Sequence, residues 1–197
     1  MISVIDYGAS NIRSVAMALT SLGKEFSIIN STENSLIGSH VILPGVGSFH
    51  SAMKTLEELN LVRKIHDFHK QGGVVIGICL GMQLLFESSE EFSHTEGLRL
   101  IKGQVTPSLH PNGEPSIRIG WDKVIFTNPS YLDGNYFFAH SYQAHPMDKN
   151  SILAMSIRND REVVAAVRTE RAIGFQFHPE KSSKLGLRSL DWALKSF

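Results

Sequence analysis

The sequence predicts an α/β domain: an open, mixed and mostly parallel sheet with helices on both faces, plus a smaller antiparallel region in the second half. Three observations predict it. In the first half, short apolar runs of strand length alternate with segments whose apolar residues recur at helical spacing. Between Lys102 and Phe177 the β-rich segments are instead separated by turn residues, the signature of mixed or antiparallel pairing. Finally, 197 residues with 42% hydrophobic and 19% charged content bury a sizeable core and fit one domain over residues 1–197.

Taken in order, Ile2–Ile5 reads as a strand, and Ile12, Val15, Ala16 and Leu19 follow at i, i+3, i+4 and i+7, one buried helix face stopped by Gly23. Phe26–Ile29 and Val41–Leu43 are further short strands. Leu61 to Lys70 is a helix ended near Gly72-Gly73, and Val74–Ile78 is an all-apolar strand leading into a helix over Leu80–Phe86. In the second half, Ile117–Ile119, Lys123–Phe126, Tyr136–Phe138, Ile152–Ile157, Val163–Arg168 and Ala172–Phe177 read as strands. Pro111-Asn112-Gly113, Asn128-Pro129 and Asp133-Gly134 supply turns between them, and Ser183 to Lys195 closes with an amphipathic helix.

Composition excludes several roles. Lys+Arg and Asp+Glu balance at 19 each without a basic cluster, so neither a nucleic acid nor an anionic membrane surface is expected as partner. No apolar stretch approaches the roughly 20 residues of a membrane span and the start lacks a basic leader, which predicts a cytoplasmic protein. A single cysteine forms neither an internal disulfide nor a Cys-rich zinc site, and the nine histidines include no H-E-x-x-H pattern, so no metal and no cofactor are expected.

That cysteine, Cys79, lies in Gly77-Ile78-Cys79-Leu80-Gly81 between a buried strand and a helix, the form of a nucleophile elbow. A thiol at a helix start is activated by the dipole, and the Leu80 amide is placed to donate to an oxyanion. Alone, the pattern serves equally for an inert buried cysteine beside packing glycines. A thiolate needs a base and the base an orienter, and Phe177-His178-Pro179-Glu180 offers both: in an extended chain His178 and Glu180 leave on the same side. Pro44-Gly45-Val46-Gly47 is a glycine-rich turn after a strand; it either reverses the chain or turns backbone N–H groups toward an oxyanion. Parallel strands would bring these pieces to one sheet edge.

"PGVGSF" (44–49), "GICLGMQLLF" (77–86) and "FQFHPEKS" (175–182) together resemble the signature blocks of class I, triad-type glutamine amidotransferases. "VIDYGASNIRSV" (4–15), "GLRLIKG" (97–103), "GW" (120–121) and "HSYQA" (140–144) most resemble the glutaminase subunits of imidazole glycerol phosphate synthases. The resemblance implies Cys79 as nucleophile, His178 as general base and acid, and Glu180 as its orienter. It implies Gly45, Val46, Gly47 and Leu80 as backbone oxyanion donors, and Gln83, Glu91, Ser141 and Tyr142 as glutamine-binding residues, with Glu87 and Glu90 as rivals to Glu91. It further implies a heterodimer with a (β/α)8 barrel cyclase, docked near Trp121, Tyr136 and Lys181, which receives ammonia for histidine biosynthesis.

The chain departs from the family where Pro-His-Met/Ile-Gly-Trp-Asn is usual: it reads Ile117-Arg118-Ile119-Gly120-Trp121-Asp122, and Ser10 replaces a usual glycine. That departure supports a second reading, a paralogue feeding another synthase such as one amidating a surface-polysaccharide sugar. A non-catalytic scaffold and a cysteine hydrolase of the peptidase or chaperone type are the readings from other classes.

Overall fold

Chain order and local chemistry account for the elements of the computed structural model, which describes residues 1–8, 11–30, 35–110, 112–158 and 161–197. Ser10 and Pro111 lie outside the described residues. Strand β1 (Ile2–Ile5) is buried at every position, as a strand covered on both faces requires. Helix α1 (Ile12–Ser21) buries Val15, Ala18 and Leu19. It ends in a Schellman motif at Gly23 (φ +65°), where Gly23 N–H donates to Thr20 O (2.9 Å) and Lys24 N–H to Leu19 O (3.0 Å). Strands β2 (Phe26–Ile29) and β3 (His40–Gly45) follow.

Helix α2 (Phe49–Glu58) is absent from the sequence-based assignment. Its signal is nonetheless present: Ser48 Oγ accepts from Ser51 N–H (3.3 Å) as N-cap, and Phe49, Ala52, Met53 and Leu56 form the buried stripe. Helix α3 (Leu61–Lys70) and strand β4 (Val74–Cys79) then lead into α4 (Leu80–Leu84). That helix stops two residues short of the expected Phe86, because Leu85 and Phe86 N–H bond three residues back, to Met82 and Gln83 O, and tighten the last turn.

Strands β5 (Ser88–Ser89), β6 (Thr95–Glu96), β7 (Gly103–Pro107), β8 (Arg118–Phe126), β9 (Gly134–His140) and β10 (Tyr142–Pro146) come next. Strands β11 (Ile152–Arg158), β12 (Arg161–Arg168), β13 (Ala172–Phe175) and helix α5 (Ser183–Lys195) complete the order. Among the described residues, nine strands form one sheet in the order β2-β1-β3-β4-β13-β12-β11-β8-β9, parallel from β2 to β13 and antiparallel from β13 to β9. The antiparallel region is thus largely an extension of the main sheet, while β10-β7-β5-β6 form a separate four-stranded sheet. Ile117–Ile119 and Lys123–Phe126, expected as two strands, fuse into β8 across Gly120 (φ +126°).

Helices α1 and α5 cover one face, where Val15, Leu19, Leu190 and Ala193 share a core with Ile76, Phe175 and Phe177. Helices α2, α3 and α4 cover the other, where Phe49, Leu56, Ile65 and Leu84 pack with Val41, Leu43 and Val75. Strands β3 and β4 end level, Gly45 opposite Cys79, so the glycine turn and the elbow share one sheet edge. No helix among the described residues is long and apolar enough to cross a membrane.

The departing segment 117–122 folds around a buried ion pair. Arg118 Nε donates to Asp122 Oδ2 (2.6 Å) and Nη2 to Ser156 Oγ (2.8 Å), with both charged side chains under 9% exposed, at 8% and 5%. Removing one partner strands a buried charge. Arg118→Met is therefore expected to lose about 3–5 kcal/mol of unfolding free energy, and Arg118→Met with Asp122→Leu to recover most of it. Urea denaturation of the two variants checks this; equal losses would contradict it.

Candidate active site

Cys79 adopts φ +54°, ψ −110°, a conformation in which a side-chain-bearing residue is held only by its surroundings. The flanking glycines make that turn possible. A Cβ on Gly77 would meet the Gly81 carbonyl 2.5 Å away, and one on Gly81 would collide with the Leu43 carbonyl. Only glycine lets the strand, the elbow and the first turn of α4 approach so closely. Cys79 Sγ lies 3.7 Å from Ala139 O and 3.9 Å from Gln176 Nε2, and it shares one cavity wall with His178.

His178 Nδ1 and Glu180 Oε1 are 2.8 Å apart, with both side chains under 4% exposed, at 3% and 1%. A carboxylate only accepts, so Nδ1 donates and Nε2 is left for the thiol. Burial pushes the imidazole toward its neutral form. Hydrogen bonds to Cys79 and Glu180, with their charges, outweigh burial and raise its pKa to about 10. The route to this pairing differs from the expected one. Glu180 sits in a single 3-10 turn (Pro179–Lys181) rather than in extended chain, closed because Lys181 N–H and Ser182 Oγ both donate to His178 O. Strand β13 likewise ends at Phe175 rather than Phe177, since His178 N–H turns to Phe137 O (2.8 Å) on β9.

A cavity of about 280 Å³ opens beside the thiol, walled by Val46, Gly47, Leu80, Gln83, Glu91, Ala139 to Tyr142, His178 and Lys181. Of the four expected oxyanion residues, Val46, Gly47 and Leu80 line it. Gly45 is not among the lining residues, and a Cβ there would lie 2.5 Å from the Tyr7 hydroxyl and 3.0 Å from Leu80 Cβ.

The four expected glutamine-binding residues all line the cavity. Gln83 Nε2 donates to Tyr142 O and Gln176 Oε1, both at 3.0 Å, which braces the wall. The three neighbouring glutamates separate cleanly. Glu87 accepts from Gly103 N–H (2.7 Å) and Glu90 pairs with His94 (3.0 Å), whereas Glu91 alone of the three reaches the cavity, its Oε2 accepting from Phe49 N–H (2.5 Å). Burial and the Glu91 charge raise the Tyr142 phenol pKa.

Trp121 is 52% exposed and meets Phe137 edge-on at 6.1 Å, and Lys181 Nζ lies 6.0 Å from the same ring. Tyr136, expected at the partner surface, is corrected to core. It is fully buried, its hydroxyl donates to Leu132 O (2.7 Å), and its ring sits 4.1 Å from that of Phe177. The pleat of β9 turns Tyr136, Phe138 and His140 inward, so Phe137 shares the outer face with Trp121. Sequence reasoning missed Tyr7, Gln176 and His140 as site neighbours. The signal for Gln176 was its position two residues before His178. Among the described residues, no group of three His, Cys, Asp or Glu side chains is placed to hold a metal ion.

The chain matches the family model "Glutamine amidotransferase class-I" over residues 3–190. It is similar to the "Imidazole glycerol phosphate synthase subunit HisH" of Geobacillus kaustophilus (strain HTA426), 41% identical over 200 residues covering 97% of this chain and 94% of that protein. The protein of the same name from Bacillus subtilis (strain 168) is 40% identical over 96% of this chain and 93% of that one. In fold it is similar to a crystallised glutamine amidotransferase, with TM-score 0.78 and 17% identity over 100% of this chain and 99% of that chain. PurLQS from Thermotoga maritima gives TM-score 0.77 and 19% identity over 99% and 97%.

Proposed function

The chain belongs to the class-I glutamine amidotransferase family, and on that premise we propose that Cys79, His178 and Glu180 hydrolyse glutamine in the elbow cavity. It acts as the glutaminase subunit of an imidazole glycerol phosphate synthase. One observation carries the assignment of roles: the hydrogen-bonded Glu180–His178 pair and Cys79 meet at one cavity with room for an amino-acid substrate.

Cys79 Sγ, its proton already held on His178 Nε2, attacks the γ-carboxamide carbon. The oxyanion forms beside the Leu80 N–H and the Val46-Gly47 backbone. Collapse breaks the C–N bond, the His178 proton passes to the leaving nitrogen, and ammonia departs. Water then attacks the γ-glutamyl thioester as His178, neutral once ammonia has left, takes a proton from it, and the C–S bond breaks to release glutamate and free Cys79 Sγ. Glu91 supplies the carboxylate for the substrate's α-ammonium group, and Ser141 and Tyr142 hold its other end.

Free ammonia is mostly protonated in neutral water, so the subunit delivers it to a docked synthase, a (β/α)8 barrel cyclase. Trp121, Phe137 and Lys181 provide the docking face beside the cavity mouth. The second reading drew on the segment 117–122, but its charged residues fold inward as a buried pair and leave Trp121 outward.

Combining the protein with the barrel cyclase and its nucleotide substrate is expected to stimulate glutamate release and yield imidazole glycerol phosphate from glutamine. Unstimulated hydrolysis without that product would overturn the assignment.

A further inference from the structure

Gln176 lies between Phe175 and Phe177, whose rings pack into the core on the α1 and α5 side of the sheet. Its N–H still pairs with Ala165 O (2.9 Å), so the strand pleat carries one residue past β13. Alternation therefore turns the Gln176 side chain to the opposite face, where Gln83 of α4 stands, and it is completely buried there. An amide at full burial needs partners at both ends.

A backbone carbonyl decides which end faces which partner. Tyr142 O only accepts, so Gln83 presents Nε2 to it, at 3.0 Å. The same Nε2 lies 3.0 Å from the Gln176 amide, which must answer with its Oε1. Gln176 Nε2 is thereby turned to Cys79 Sγ, 3.9 Å away, within the longer reach of a hydrogen bond to sulfur. Reversing Gln83 would set its oxygen against Tyr142 O, and reversing Gln176 would set two NH2 groups together.

We propose that Gln176 is a positioning residue for the nucleophile, its Nε2 donating to Cys79 Sγ and favouring the thiolate over the thiol. A thiol sulfur accepts weakly and a thiolate strongly, so a buried N–H aimed at sulfur is better satisfied once the proton has left. The competing arrangement is the thiol, whose S–H donates to Ala139 O at 3.7 Å. The two differ by one proton, carried on Sγ or on His178 Nε2, and the chain from Tyr142 O through Gln83 and Gln176 weights the second.

Other titratable groups also face the sulfur. They are His178, with Glu180 behind it, and Tyr7, whose phenol is pushed up by burial and by the charges of Cys79 and Asp6. Glu91 and Lys181 stand on the walls of the shared cavity. All of them are retained when only position 176 is changed.

The inference rests on the reading of Cys79 as nucleophile, but its test runs without glutamine. Cys79 is the one cysteine of the chain, so the ultraviolet absorbance of the thiolate, read as each protein minus its Cys79→Ala counterpart, reports that sulfur alone. Gln176→Met keeps the length of the side chain and removes both ends of the amide. It is expected to move the thiolate midpoint up by about one pH unit, the low end for a hydrogen bond to a charged group. In isotope-labelled parental protein, the Gln176 side-chain amide protons should shift with the thiolate midpoint and lose that shift in Cys79→Ala, a measurement that needs no change at position 176. An unmoved or lowered midpoint in Gln176→Met overturns the proposal, as do Gln176 amide protons that stay still while the thiolate forms. A parental complex that leaves glutamine uncleaved, with the midpoint shift present, would instead sink the glutaminase reading.

Discussion

Cys79→Ala is expected to lower glutamine hydrolysis by at least about a thousandfold, the scale on which loss of a covalent nucleophile acts, in a protein that still folds and binds glutamine. The nucleophile has no substitute, since Cys79 is the one cysteine of the chain. Folding is spared because the strained backbone at φ +54° is imposed by Gly77, Gly81 and the level ends of β3 and β4 rather than by the thiol. Sγ makes only long contacts to Ala139 O (3.7 Å) and Gln176 Nε2 (3.9 Å), so its removal disturbs little packing. Glutamate release under saturating glutamine, with calorimetric titration of the variant by glutamine, checks both halves. Retained hydrolysis would end the nucleophile assignment, and lost binding would show that the thiol also shapes the pocket.

Glu180→Gln is expected to cut kcat by about 10²–10⁴ with a small effect on KM, because it changes what the imidazole is told to be. Glu180 Oε1 accepts from Nδ1, and Oε2 is buried without a partner among the described residues. A carboxamide facing Nδ1 with its oxygen buries an unsatisfied NH2 where Oε2 stood, at about 1–3 kcal/mol. Facing it with nitrogen, it fixes the tautomer that cannot take the thiol proton. Either way the negative charge is gone, and with it one of the influences that raise His178 to about 10, so the depression caused by burial gains weight. The His178 ring resonances should then titrate at lower pH in the variant than in the parent. An unmoved titration would refute Glu180 as the orienter.

Much of this was legible in the sequence where chemistry is local. Helices α3 and α5 have their expected bounds because apolar spacing and glycine stops act within a few residues. Helix α2 is not predicted although Ser48 caps it, because its apolar stripe follows directly on the Pro44–Gly47 turn. Sheet order was not legible at all: β13 inserts between β4 and β12, a pairing that no neighbouring residues announce. The residues of the proposed triad stand in legible motifs, yet the 3-10 turn that carries Glu180 was not legible, because His-Pro-Glu also fits an extended chain. Tyr136 failed for a related reason. In Tyr136-Phe137-Phe138 every residue is aromatic, so the sequence hides which pleat phase faces the core.

The place of β13 in the sheet also orders events in time. The proposed nucleophile and base stand at the ends of adjacent parallel strands, β4 and β13, but Gln176, which follows β13 and reaches Sγ, lies 97 positions beyond Cys79. A ribosome adding roughly 5–20 residues per second holds out the cysteine strand for several seconds before its base has been made. Through that interval the thiol has no imidazole to take its proton. The late strand is thus a built-in delay: the growing chain cannot release ammonia before most of the subunit, including the proposed docking residue Trp121, has been synthesised.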